Sequence, residues 1–256
     1  MLKPMDGKGR SQMSHQESTQ SISNGAFSTA MLEAEAYNKW VLTYYNSYIQ
    51  DNLLEIGIGH GAFYNYLPDS IENYVGVDID EALVNHARCS YPKNKYVQAD
   101  LASNTFLNAF QDKKINTILC FNVLEHIEDH EMALKNMIDI LSPTGHILLF
   151  VPAFQFLYME LDRLAGHYRR YTVSNLNSLT EKCGGDIVKW SYFNFIGGIG
   201  WWVNKFMIHQ SLNDHSVNKQ IRFFNKVILP ISKIIQPLTK KIFGQSLYVV
   251  IRKKAS

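Results

Sequence analysis

The sequence predicts an α/β protein built on a doubly wound, mostly parallel sheet of seven strands. Three observations carry that prediction. Short apolar runs alternate with helix-patterned stretches over residues 52–152, as βαβ units require. Two further runs near the C-terminus, 186–193 and 246–253, bring the strand count to seven. A length of 256 residues suits one α/β core with attachments.

The elements follow in chain order. Residues 1–25 read as a flexible tail, because the stretch 11–24 holds five Ser, three Gln, one Thr and one Asn and has almost nothing to bury. From Phe27 to about Ile49 the pattern turns helical, with Met31, Ala34, Trp40 and Tyr44 on a candidate inward face. Strands are expected at 52–57, 73–79, 95–99, 115–121 and 145–151, with helices at 61–67, 81–90, 103–110 and 129–141. Pro143 and Gly145 are read as the stop of that last helix. A loop then leads to a helix at 173–183, with Thr172 as its N-cap, a strand at 186–193, a bulky apolar and basic stretch, and the closing strand 246–253. Residues 26–256 are thus expected to form one domain. Within it, 52–152 is the ligand-binding core, 153–245 an acceptor-side loop and helical cap inserted before the last strand, and 246–253 the closing strand.

Composition excludes several classes. With 46% hydrophobic and 19% charged residues the chain is neither collagen-like, nor a coiled coil, nor globally disordered. Three widely spaced cysteines, Cys89, Cys120 and Cys183, give no disulfide scaffold or zinc ribbon and suit a reducing cytosol. No apolar run of signal-peptide length opens the sequence, so a cytoplasmic location is expected. The net charge of +2 conceals a division: residues 1–214 carry −7, whereas residues 215–256 carry +9 and no acidic group. A basic C-terminal stretch on an acidic body points toward an anionic partner.

Ligands of parallel sheets bind beyond the carboxyl ends of the strands. In Leu53-Leu54-Glu55-Ile56-Gly57-Ile58-Gly59-His60-Gly61 three glycines follow a buried-looking strand, allowing a tight turn and close ligand approach. The pattern is G-x-G-x-G rather than the dinucleotide G-x-G-x-x-G, and no Gly-Lys-Ser/Thr follows to make a P-loop. Asp78 ends the second strand, where a carboxylate can accept from both ribose hydroxyls. Asp100 follows the third strand and can accept from an adenine amino group, with the backbone of Leu101 beside it; Asn122 follows the fourth. Each alone also reads as a turn or cap residue, but together, in this order, they point to one nucleoside site.

These segments, LLEIGIGHG, YVGVDID, VQADL and ILCFNVLEHIED, resemble the successive motifs of class I S-adenosylmethionine-dependent methyltransferases. The resemblance runs from about residue 52 to 152. More loosely, through AEAYNKW, GHYRRYT and QSLYVVIRK, it is similar to a bacterial group associated with glycan, lipid or secondary-metabolite pathways. It implies a Rossmann-like fold and S-adenosyl-L-methionine as cofactor. It also implies that Glu55, Gly57, Gly59 and Gly61 shape the methionine pocket and that Asp78 binds the ribose. Ile79 would pack on adenine, Asp100 would hold its amino group, and Asn122 would line the sulfonium side. The ligand carries no phosphate, which agrees with a loop offering carboxylates and bare backbone rather than cations.

On the acceptor side, Glu125 and His126 follow the fourth strand, either as wall residues or with His126 as a general base or a shaper of the methyl channel. His167, in Gly-His-Tyr-Arg-Arg-Tyr, is the leading candidate for the base, since a pKa near 6.5 suits proton transfer at neutral pH. Tyr168, Arg169 and Arg170 are candidate acceptor contacts; the arginines either clamp an anion or pair with Asp162 or Glu160 to hold the loop. Tyr37 and Trp40 either close over the cofactor or simply pack. Small-RNA 2′-O-methyltransferases bind a metal through Glu-x-x-Glu-His and a distant His. Here Asn122 replaces the first Glu, a poorer ligand for a hard cation, so no metal is expected.

In the basic tail, Val217, Ile221, Phe224, Ile228, Ile231 and Ile235 recur at helical spacing, with Lys219, Arg222, Lys226 and Lys233 opposite. That amphipathic helix, interrupted at Pro230, either packs on the sheet or meets anionic lipid or a lipid-linked substrate. The Asn/Asp-Pro-Pro-Tyr/Phe pattern of enzymes acting on base amino groups is missing after the fourth strand, so nucleic acid is not the expected partner. The expected activity is O-methylation of a hydroxyl or carboxylate on a small molecule. The alternatives are an RNA or protein methyltransferase, or a non-catalytic cofactor binder of the same fold.

Overall fold

The computed structural model of the protein describes residues 35–59, 63–110, 113–204 and 227–254. Seven strands, β1 (Leu53–Ile56), β2 (Tyr74–Asp78), β3 (Lys95–Gln98), β4 (Ile115–Phe121), β5 (Leu141–Pro152), β6 (Gly185–Phe193) and β7 (Ser246–Lys253), form one sheet. Their spatial order is β3-β2-β1-β4-β5-β7-β6. The first five pair in parallel, whereas β7 runs antiparallel to both neighbours, β5 and β6. The chain moves outward from β1 to β3, then returns to β1's other edge with β4. That reversal opens a crevice beyond the carboxyl ends of β1 and β4.

Helices cover both faces because alternate residues of the central strands are apolar on both sides. In β5, Ile147, Leu149 and Val151 join one buried cluster and Leu148 and Phe150 the other. On the first face lie α3 (Asn104–Phe110), α4 (His130–Ile140) and α6 (Val173–Lys182), which bury Phe106, Phe110, Leu134, Met137 and Leu176. The second face receives α1, helical over 35–43, together with α2 (Glu81–Ser90), through Trp40, Val41, Val84 and Ala87. Among the described residues, three further helices follow, α5 (Glu160–Leu164), α7 (Phe195–Asn204) and α8 (Leu229–Thr239).

Caps fix the helix starts next to the crevice. Asp80 accepts from the Ala82 amide at 2.8 Å, and Asp129 from the Met132 amide at 2.9 Å. Thr172 is the N-cap of α6, as expected, in a reciprocal box with Asn175.

Two expectations are corrected. The span 61–67 contains only a 3-10 turn, Tyr64–Tyr66, among its described residues. Pro143 and Gly145 do not end α4: the helix stops at Ile140, Leu141 is already extended, and both residues lie within β5 at a shift in its register with β4. Gly145 is needed there by close approach, since a Cβ would sit 2.9 Å from the Asn116 carbonyl oxygen. In the basic tail, where the sequence leaves open which way the apolar face turns, the described helix turns part of it outward. Residues 217–226 lie outside the described residues, and α8 buries Leu229, Ser232 and Gln236 rather than Ile231. The cause is a polar demand: Gln236 accepts from the Asn194 amide at 3.0 Å and donates to the Tyr192 carbonyl at 2.7 Å, satisfying the corner after β6. Ile231, Ile234 and Leu238 therefore face outward, Leu238 with 79% of its surface exposed. The expected tail 1–25 also lies outside the described residues.

Candidate active site

A cleft opens at the carboxyl ends of β1–β4, with about 500 Å³ of empty space including that open to solvent. Its floor is the turn after β1. Gly57, at φ +73°, approaches Val123 so closely that a Cβ would lie 2.2 Å from the valine Cγ2. Gly59, at φ +51°, leaves open space where a side chain would stand, and its amide donates to Asp78 Oδ2 at 3.1 Å. Asp78 also accepts from the Asp80 amide at 3.0 Å through Oδ1. Its carboxylate is thereby fixed at the wall, with lone pairs left for other donors. Ile79, 66% exposed, forms an apolar ledge on the cleft together with Ala99, Leu101 and Ile127. Asp100 lines the same wall and accepts from the Ala102 amide at 2.9 Å. Among the described residues, no Lys or Arg lines the cleft.

The structure thus brings Gly57, Asp78, Ile79, Asp100, Leu101 and His126 to one cleft. Glu55 stands behind it: its buried carboxylate accepts from the Tyr74 hydroxyl at 2.6 Å, and burial pushes its pKa up to about 7. Asn122 takes φ +53° immediately after β4, and Val123 occupies the lining beside it. Gly61 lies outside the described residues.

The loop after β5 is tied to the turn after β4. The Tyr168 amide donates to the Glu125 carbonyl at 2.8 Å, and Arg169 donates to the carbonyls of Ile127 and Glu128 at 2.8 and 2.9 Å. Arg170 is 4% exposed and gives its guanidinium to Asp162 and the Ala153 carbonyl, with its planar group over Trp201. Arg170 is therefore not an anion clamp but the buried partner of Asp162, and the donors of Arg169 staple the loop. Tyr168 is half-exposed under Arg169. Tyr37 and Trp40 do not close over the cleft. Trp40 is buried against Phe193 with ring centroids 4.1 Å apart, and Tyr37 packs edge-on against both.

The two histidines meet. Their rings cross at 87° with centroids 4.5 Å apart, His126 on the cleft wall and His167 beside it. His167 Nδ1 lies 2.9 Å from Asp162 Oδ1. Burial, then the neighbouring His167, holds the His126 pKa below the usual imidazole value. Below them Glu125 is fully buried, pushed up to about 8 by desolvation, and neither carboxylate oxygen has a hydrogen-bond partner. Asp162 could be read from the sequence as a partner of the arginines. Its contact with His167 could not, because a separation of five residues across a loop follows no helical or strand period.

The methyltransferase-domain family profile matches residues 26–189. The chain belongs to the class I S-adenosylmethionine-dependent methyltransferases. The donor of this enzyme family is S-adenosyl-L-methionine. A protein of Mycolicibacterium smegmatis named probable S-adenosylmethionine-dependent methyltransferase is 31% identical over 138 residues, covering 53% of this chain and 52% of the relative. The chain thus spans about half the length of that curated relative. The ubiquinone biosynthesis O-methyltransferase of Rickettsia felis is 22% identical over 109 residues, 43% of this chain and 44% of that one. Among solved structures, a SAM-dependent methyltransferase from Archaeoglobus fulgidus superposes with a TM-score of 0.58 at 20% identity, covering 86% of this chain and 94% of its own. The YcgJ protein from Bacillus subtilis gives 0.55 at 16% identity, over 84% and 98%. These two likenesses concern the fold alone. The cleft offers bare glycine backbone, anchored carboxylates and an apolar ledge, with no Lys or Arg among its described lining residues.

Proposed function

We propose that this methyltransferase transfers a methyl group to an oxygen, a hydroxyl or carboxylate, of a small molecule of the sugar, lipid-linked or secondary-metabolite kind. The observation that carries the reading is the pair His126–His167 at the cleft wall, with His167 oriented by the buried Asp162. An alcohol must lose a proton as it is methylated, and an imidazole pair is suited to managing that proton near neutral pH. The Rickettsia relative's name, an O-methyltransferase, supports the same choice.

In this reading Gly57 and Gly59 admit the methionine end of the donor and Asp78 accepts from the ribose hydroxyls. Asp100 and the Leu101 backbone receive the adenine edge, and Ile79 covers its face. Glu55 supports the floor through Tyr74, and Asn122 stands at the sulfonium side. S-adenosylmethionine supplies a methyl group on a cationic sulfur, already a good leaving group. The chain has to align the two reactants, which contributes up to roughly 7–11 kcal/mol, and to handle one proton, about 10²–10⁴-fold. The test is mass spectrometry of metabolite extracts incubated with isotopically labelled donor. Label in RNA or protein, and none in small molecules, would overturn the reading. Calorimetric binding of the donor without labelled product from any fraction would leave a silent binder.

A specific observation favours an acceptor at a membrane surface. Ile231, Ile234 and Leu238 form an exposed apolar stripe on α8, followed by exposed Ile242, within a stretch carrying nine basic and no acidic residues. No helix among the described residues is long and apolar enough to cross a membrane. An apolar stripe flanked by lysines suits lying in an anionic interface. Sedimentation with vesicles containing anionic lipid should fall at high salt and in Leu238→Asp. No sedimentation at low ionic strength would end this part of the proposal.

A further inference from the structure

Among the described residues, Glu125 is the buried carboxylate that the fold leaves without a partner. Both its oxygens are buried without a hydrogen-bond partner, although buried polar groups are satisfied in the great majority of cases. It is not remote from other donors. Glu125, His126 and His167 each offer one atom such that all three lie within 4.8 Å of one another. Two nitrogens and one carboxylate oxygen form the ligand set of a borderline transition-metal ion rather than of magnesium or calcium.

The surroundings hold both imidazoles as a metal site would. A metal-bound histidine typically uses its second ring nitrogen to meet a carboxylate or backbone carbonyl. His167 meets Asp162 through Nδ1, and Asp162 is itself locked by buried Arg170. The His126 ring faces the backbone of Gly166, where a Cβ would lie 3.7 Å from its Nδ1. The loop bearing His167 is pinned to the turn bearing Glu125 by the Tyr168 amide and by Arg169. Ligand bonds of about 2.0–2.2 Å at tetrahedral angles set ligand atoms about 3.4 Å apart, so closing the present spacing takes a combined movement of roughly 1.4 Å or less. Three protein ligands leave a position open toward the cleft that His126 lines. The expectation of no metal rested on Asn122 as a ligand. Asn122 is not part of this cluster, and Glu125 supplies the carboxylate.

We propose that Glu125, His126 and His167 form a binding site for one divalent ion of the zinc or cobalt class at the edge of the cofactor cleft. The site binds whether or not an acceptor is present, so its test stands apart from turnover. The full chain, stripped with chelator, is titrated with Zn²⁺ by calorimetry and with Co²⁺ by visible absorption. One equivalent is expected to bind, with a d–d band of low-coordinate nitrogen–oxygen ligation. Glu125→Gln and His126→Ala should each lose at least tenfold in affinity. Asp162→Asn, which removes no ligand, should weaken binding about 10–100-fold, and His86→Ala on α2 should bind as the parent does. S-adenosylhomocysteine affinity and melting temperature identify any variant that fails to fold, and His126→Ala, at an exposed position, remains readable if Glu125→Gln does not fold. Absence of saturable binding, or binding undiminished in folded Glu125→Gln and His126→Ala, overturns the site. Either result leaves the O-methylation reading intact, with the histidines as metal-free bases.

Discussion

At the scale of single residues, Asp162 does the most organising. One buried carboxylate orients His167, binds the Arg170 guanidinium and accepts from the Met159 amide that starts α5. Removing one partner of a buried ion pair typically costs about 3–5 kcal/mol. Arg170→Ala should therefore lower stability by roughly that amount in chemical denaturation. His167→Ala is expected to act differently: turnover falls on the order of 10²–10⁴-fold while calorimetric affinity for the donor stays near that of the parent. Full activity in that variant would remove His167 from the chemistry. Asp78→Ala should do the reverse, weakening donor binding by about 1.5–3 kcal/mol, the range for hydrogen bonds to a charged group. Glu55 sets a pH dependence. Its folded pKa, about 7, is above the usual carboxylate value, so between about pH 4.5 and 7 the unfolded chain releases a proton that the folded one keeps. Stability then falls as pH rises through that window and levels off above it, by about 3 kcal/mol in all. Glu55→Gln should match the parent near pH 4.5 and exceed it above pH 7 in thermal melts.

At the scale of elements, the turn after β1 has the narrowest tolerance. Gly57→Ala must hold a positive φ and move Val123, so a loss of about 2–4 kcal/mol and of donor binding is expected. Adding Val123→Ala should recover only part, because the backbone strain remains. Elements whose apolar period is strong were legible in the sequence: β4 and β7 have the expected bounds, and α2 begins and ends where the pattern does. The gaps share a cause. Pro143 and Gly145 are helix breakers that here serve an irregular strand start, and local composition does not distinguish the two. In α8 the apolar period left the buried face open, because the deciding partners, the Tyr192 carbonyl and the Asn194 amide, lie more than forty residues upstream. The same applies to the site. Strand-tip residues such as Asp78 and Asp100 could be read from position, whereas the meeting of His126 with His167 and the burial of Arg170 depend on a loop fold with no period.

At the scale of the whole molecule, the seven strands make a single sheet whose two faces are buried by different helices, and the cleft lies where the strand order reverses. The acidic body presents this cleft while the basic stretch carries an outward apolar helix, so charge and hydropathy are divided along the chain as well as in space. The antiparallel strand β7 holds this arrangement closed by bridging β5 and β6 over eight residues, Ser246–Lys253. Deleting it would leave β5 unpaired on one edge and β6 with no neighbour, so a chain ending before Ser246 should give no cooperative thermal transition.

The position of β7 also bears on biosynthesis. Helix α6 and β6 leave the ribosome long before the strand that must be inserted between β6 and the rest of the sheet. A nascent chain can therefore assemble the cleft at the ends of β1–β4 while α6 and β6 wait, and the sheet closes only when β7 has been made.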